Sequence, residues 1–325
     1  MEPDISVIIP AHNEASWITR TIEAMAGACV TSARVEFVVV DDASTDGTAA
    51  LLAHSSADIM RRWNVRIRIF RMQNRVGVPV ARNWGATHAS AEVLFITDAH
   101  VQPSSGWDRL VLENIRARRI LAAAVTQKGS GFHGYGCRLV VPSMGTYWNK
   151  EPVRALSEVQ IAGCVGTAIP RDLFLQLGGY DSGMRLYGGA EPEFSIRAWL
   201  QGSEIMVVPW LMMQHRFKDQ NERESFLAQT RPYMVHNSIR FGLLYLGDLG
   251  CLQLLRYFAA RFPDHIERAL QMIVSSDVWE RRRFLEKRRE RPFAWFVKRF
   301  GIKDEAGREI LPGREILQGE ELSCP

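Results

Sequence analysis

The chain lacks the signals that most quickly assign a sequence to a class. No stretch reaches the roughly 18 uncharged apolar residues of a membrane-spanning helix. The nearest, FGLLYLGDLGCLQLLRYFAA, is interrupted by Asp248 and Arg256. The start, MEPDISVIIPAHNE, carries acids and has neither a basic lead nor an apolar core, so no signal peptide is expected. Cysteine is scarce and odd in number, five in 325 residues, and never in a CxxC pair. That argues against a disulfide framework or zinc-finger spacing and points to a reducing, cytoplasmic setting. No Gly-rich dinucleotide loop follows the first strand, and no GxxxxGK[ST] loop occurs, which removes two common nucleotide-binding classes. Internal repeats and low-complexity tracts are absent. Excess charge is small: net +4, from 40 basic and 36 acidic residues. Such a balance suits an anionic small substrate and does not call for nucleic acid.

Apolar residues make up 46% of the chain, enough for a sizeable core. The first hundred residues alternate apolar runs with helical patterns. Strands are expected at Ile5–Ile9, Val35–Val40, Val65–Phe70 and Glu92–Thr97. Helices are expected at Ala15–Ala26, Thr48–His54 and Pro79–His88. This order implies a mostly parallel, doubly wound α/β sheet. Residues 129–160 are rich in Gly and aromatics and read as loops and antiparallel strands. A strand (Ala162–Ile169), two helices (Arg171–Leu177, Glu193–Leu200) and a strand (Glu204–Val208) follow. Beyond about 221 the pattern is helical and ends in a basic run.

Ligands of open α/β sheets bind beyond the carboxyl ends of the strands. Three polar clusters fall there: PAHNE, DDASTDGT and TDAH. Pro10, Ala11, Asn13 and Glu14 are expected to line a nucleoside, with Glu14 accepting from ribose hydroxyls and Asp42 from a base N–H. Asp46 reads as turn and cap chemistry. In TDAH, residues i and i+2 of extended chain face one side, so Asp98 and His100 can converge on one cation. An oxygen with an imidazole suits Mn²⁺ better than Mg²⁺. His215, after the last strand, is the best-placed third ligand. Arg82 is either a pyrophosphate ligand or a solvated helix charge.

These residues, taken together, resemble a known group. PAHNE, VVVDDASTDGT, GVPVARNWGA and TDAH are similar to the nucleotide-binding half of the large inverting glycosyltransferase family with the GT-A fold. The stretch from AGCVGTAIPRD to MMQHRF resembles the catalytic core of the polypeptide N-acetylgalactosaminyltransferases, which use DxH and a distant HxF. Here these are Asp98, His100, His215 and Phe217. The resemblance implies a GT-A domain over 1–220 (1–128 for the nucleotide sugar, 129–220 for acceptor and catalysis) and a helical extension over 221–325. It further implies a UDP-sugar donor, Mn²⁺, and a peptide or protein acceptor, with no nucleic acid and no membrane contact expected. A lipid-linked or polysaccharide acceptor is the first alternative, and a non-catalytic sugar-nucleotide binder the second.

One departure bears on mechanism. Where that group reads GGEN and the inverting family GGED, this chain has Gly188, Gly189, Ala190 and Glu191. Glu191 is either the general base of an inverting transfer or an acid placed to suit a helix dipole. Gly188, Gly189, Tyr187 and Trp210 are candidates to line the sugar or acceptor.

Overall fold

The computed structural model describes residues 2–309. The first half alternates β1 (Ile5–Ala11), α1 (Ile18–Gly27), β2 (Val35–Asp41), α2 (Thr48–Trp63), β3 (Arg66–Arg71), α3 (Val78–His88) and β4 (Val93–Ile96). β2 is buried at every position, as its β-branched run requires of a central strand. α2 continues nine residues beyond the expected His54. Ser55 and Ser56 bond back to the carbonyls of Leu51 and Ala53, and so stay inside the helix rather than ending it.

The chain then makes β5 (Val101–Pro103), α4 (Trp107–Asn114) and β6 (Arg119–Thr126), a segment the sequence pattern leaves unassigned. Short strands follow: β7 (His133–Tyr135), β8 (Cys137–Val141), β9 (Gly145–Trp148), β10 (Ser157–Glu158) and β11 (Thr167–Pro170). Next come α5 (Arg171–Leu177), α6 (Ala190–Leu200) and β12 (Glu204–His215). The last region holds α7 (Gln220–Tyr245), α8 (Asp248–Arg261), α9 (Pro263–Val274), α10 (Val278–Arg288), α11 (Phe293–Phe300) and β13 (Lys303–Asp304).

The main sheet runs β10-β12-β6-β11-β4-β1-β2-β3, and a small sheet runs β13-β8-β9. β1 pairs in parallel with β2 and β4, β2 with β3, and β6 with β12; β11 lies antiparallel between β4 and β6. Thus β1, β2, β4, β6 and β12 all end at one edge. β12 reaches that edge because it does not stop at Val208. Its register against β6 shifts between Val208 and Met212, where Pro209 has no N–H to give, and the strand resumes beyond this bulge.

The helical region shares a core with the sheet. One buried cluster joins Ile8 and Ile96 to Phe258, Phe296 and Ile302. The basic run is turned inward at several points. Arg282, Arg288 and Arg291 donate to the carbonyls of Leu243, Gln176 and Trp199. No helix among the described residues is long and apolar enough to cross a membrane. The four cysteines within those residues are unpaired.

Candidate active site

Asp98 follows β4, where the Thr97 amide donates to the Ile8 carbonyl at 3.1 Å. The hydroxyl of Thr21 donates to the carbonyl of Ala99 and accepts from the amide of Val101, fixing the turn that carries Asp98 and His100. His215 ends β12 opposite Val101, and the next amide, of Arg216, donates to the His100 carbonyl at 3.1 Å. Sheet register therefore brings a residue far along the chain to the DxH turn.

The Nε2 atoms of His100 and His215 lie 3.1 Å apart, and His215 Nε2 lies 3.5 Å from Asp98 Oδ2. The ligand atoms of all three residues fall within 4.8 Å of one another. Such spacings suit neighbouring positions around one ion with bonds of about 2.0–2.2 Å. One carboxylate and two imidazoles make a mixed oxygen and nitrogen set, which fits a first-row divalent ion better than Mg²⁺. Burial alone would raise the Asp98 carboxyl. The hydrogen bond from His215 and the charge of Arg82 outweigh it and hold the group well below the usual carboxylate range.

Glu14 stands behind this cluster. His100 Nδ1 donates to Glu14 Oε1 at 3.1 Å, which leaves Nε2 free to offer a lone pair. Glu14 thus has one carboxylate oxygen committed to an imidazole, a partnership its place in PAHNE does not announce. Asn13 is likewise engaged: its Oδ1 accepts from the Thr45 amide and its own amide donates to Ser44 Oγ. Pro10 and Ala11 form the end of β1, and the Ala11 carbonyl accepts from the Asp42 amide. These bonds tie the loops after β1 and β2 together. Asp46 caps its own turn through Thr48, as expected.

Asp42 departs from its expected role of reading a base. It is buried, and its two oxygens accept from the amides of Val76 at 2.6 Å and Gly77 at 2.8 Å. A strand-end acid facing a loop with unpaired amides satisfies them first. Gly77 has φ +90, and a Cβ there would stand 2.4 Å from Leu186 Cα. Asp42 therefore sets the loop that abuts the 185–189 turn.

Arg82 is not a solvated charge. It is 1% exposed. Its NH2 donates to Asp98 Oδ1 at 3.0 Å and its NH1 to Glu191 Oε1 at 2.5 Å. One guanidinium thus joins a metal-ligand candidate to the base candidate. Glu191 lies in the first turn of α6, after the left-handed Gly188 and Gly189. The adjacent Glu193 is a structural acid, buried against Arg197 and the Tyr245 hydroxyl.

The sequence reading missed Asn237. Its amide donates to the carbonyls of Arg185, Tyr187 and Gly188, and its oxygen accepts from the Arg185 amide. No local pattern announces such a role for one Asn within a long helix. Tyr187 leans edge-on against Phe226 and is 40% exposed. Trp210 sits in the β12 bulge, exposed, with its carbonyl accepting from Ser104 Oγ. From His215 a run of edge-on rings leads through Phe217 and Phe132 to Trp148.

The family model described as glycosyl transferase family 2 matches residues 6–172, just over half of the chain. The chain belongs to glycosyl transferase family 2. Curated proteins similar to it include polypeptide N-acetylgalactosaminyltransferases. Number 3 of Drosophila melanogaster is 27% identical over 91% of this chain and 46% of its own length. Number 8 of the same fly is 30% identical over 67% of this chain and 39% of its own. The chain spans about half the length of the curated relatives it matches. Among solved structures, GalNAc-T7 with UDP, GalNAc and Mn²⁺ superimposes with a TM-score of 0.70 at 23% identity, covering 91% of this chain and 56% of that one. A mannosyltransferase of Pyrobaculum calidifontis, in complex with GDP-Man and Mn²⁺, gives 0.55 at 18%, covering 85% and 75%. These structural likenesses establish the family 2 chain as a GT-A-type α/β fold.

Proposed function

We propose that this protein transfers a sugar from a uridine diphosphate sugar to a hydroxyl or thiol side chain of a peptide or protein. The observation that carries the reading is the convergence of Asp98, His100 and His215, with Arg82 linking Asp98 to Glu191. The donor class is supported by the UDP and Mn²⁺ bound to GalNAc-T7, and the acceptor class by the names of the curated relatives.

Asp98, His100 and His215 would hold the ion, Mn²⁺ before Mg²⁺, with Glu14 orienting His100. When bound, such an ion offsets the charge that grows on a leaving diphosphate. Arg82, charged and buried, holds the Asp98 carboxylate from behind. Glu191 Oε1 is taken by Arg82, and Oε2 is the atom that accepts the acceptor's proton. The bond between the anomeric carbon and the phosphate oxygen breaks, a bond from that carbon to the acceptor oxygen or sulfur forms, and UDP leaves. Attack opposite the leaving group inverts the anomeric centre. The loop rich in Gly and aromatics around Phe132 offers an extended chain a wall beside Phe217.

Incubation with a panel of UDP-sugars, Mn²⁺ and candidate peptides, read by mass spectrometry, tests this reading. A mass gain on peptide that chelator removes and Mn²⁺ restores is expected. Full activity in chelator, or transfer to polyprenyl phosphate or glycans alone, overturns it.

A further inference from the structure

The turn that leads into Glu191 is held from two sides. Its backbone is left-handed at Leu186 (φ +42), Gly188 (φ +90) and Gly189 (φ +78). On one side three of its carbonyls meet Asn237 of α7. Asn237 Nδ2 lies 2.7 Å from the carbonyl of Arg185, 3.1 Å from that of Tyr187 and 2.8 Å from that of Gly188. Its Oδ1 accepts from the Arg185 amide at 2.8 Å and from His236 Nδ1 at 2.9 Å. Donors on one edge and acceptors on the other fix which way round the amide lies. The side chain is fully buried, and a Cβ at Gly189 would stand 3.2 Å from its Cβ.

On the other side the Val78 amide donates to the Leu186 carbonyl at 2.9 Å. Val78 begins α3, which carries Arg82 one turn further on. The Gly189 carbonyl accepts from the Glu193 amide at 3.2 Å and so begins the ladder of α6, which carries Glu191 in its first turn. Arg82 and Glu191, which meet at 2.5 Å, thus spring from two helices that share one turn as their footing. The ligand candidates stand elsewhere, on the turn after β4 and at the end of β12. A group that fixes residues 185–189 therefore bears on Glu191 and leaves Asp98, His100 and His215 to the register of the sheet.

We propose that Asn237 is a positioning residue for the transfer, holding Glu191 where Oε2 takes the acceptor's proton. The inference rests on the transferase reading above, with Glu191 as its base. Three carbonyl oxygens and one amide face a single buried side chain, and Asn answers both kinds of group at once. An aspartate of the same size would set lone pairs against those carbonyls and drive the turn away. Misplacing a reacting group by about 1 Å costs on the order of 10²-fold in rate.

The test is a double-mutant cycle on turnover, with a crystal structure beside it. UDP release from a panel of UDP-sugars in Mn²⁺, with water as the acceptor, is read at saturating donor, so that no peptide need be identified. Asn237→Asp is expected to lower kcat by about 10–100-fold with the donor KM unchanged. Asn237→Ser, which keeps one hydroxyl donor, should lose less. In the Glu191→Gln background Asn237→Asp should add less than about twofold, because the group it places is already lost. Ile239→Val, a methyl removed from the buried face of the same helix, should turn over like wild type. In a crystal structure of Asn237→Ser the Glu191 carboxylate should be displaced from Arg82, while Asp98, His100 and His215 superimpose. Equal losses from Asn237→Asp in both backgrounds, or an unmoved Glu191, overturn the inference, and the transferase reading stands if peptide is still modified. A wild-type chain that releases no UDP from any donor overturns the transferase reading, and the position of Glu191 in Asn237→Ser then decides this inference alone.

Discussion

The ends of β2 and β4 carry the same residue type in the same place, an aspartate just past a buried parallel strand, yet they do different work. Asp42 gives both oxygens to the amides of Val76 and Gly77 and is sealed from solvent. Asp98 faces two imidazoles and one guanidinium, and its side chain remains 21% exposed. Backbone amides use up a carboxylate, whereas ligating side chains that need a shared partner leave a place for an ion. Position at a strand end nominates an acid; the groups across from it decide its role.

The largest effect should come from the β4 end. Asp98→Ala is expected to lower transfer by at least about 10³-fold and to abolish Mn²⁺ binding by calorimetry. Retained metal affinity would erase the contrast with Asp42. Glu191 lies between the two cases, with one oxygen held and one open. Glu191→Gln should leave UDP-sugar binding intact and slow turnover by roughly 10²–10⁴-fold. The product's anomeric coupling constant in proton NMR should report inversion, and an α product from an α donor with near-normal Gln-variant rates would count against the base.

The β2 end should respond in stability instead. Asp42→Ala strands two amides in a buried setting, and a loss of about 2–4 kcal/mol in denaturant unfolding is expected, with Mn²⁺ affinity unaltered. A loss below about 0.5 kcal/mol together with weakened UDP binding would restore Asp42 to the donor site. The smallest effect belongs to Glu14. Glu14→Gln should weaken Mn²⁺ binding by roughly 10–100-fold without shifting stability, and unchanged metal titration would remove it from the cluster.

Much of this was legible in the chain. β-branched runs and their spacing place β1 to β4 and the helices between them within a few residues, apart from the nine-residue extension of α2. DxH and a later His before an aromatic bring out the three ligand candidates. Other features leave no local trace. Pro209 reads as the end of a strand, but the β-bulge carries β12 on to His215. The Ala-rich ILAAAV of β6 fits helix or strand equally, and only its neighbours β11 and β12 choose. Asp42 is visible, but the loop that covers it lies 34 positions away. The grip of Asn237 on the 185–188 turn spans about 50 positions. Contacts of that range are written in the packing of the whole, and no window of sequence holds both partners.

The two halves of the metal cluster are separated by 115 positions, with Asp98 and His100 on one turn and His215 on the last residue of β12. Closing so long a loop is entropically costly, and contacts of such separation form late in folding. The turn with Asp98 and His100 needs Thr21 in place, and the third ligand needs β12 as well. An ion that needs all three ligands binds only after β12 has zipped against β5 and β6, and then draws the equilibrium toward the completed molecule by mass action. Added Mn²⁺ would then favour only the state in which β12 is paired, so that metal occupancy reports the arrival of a single strand.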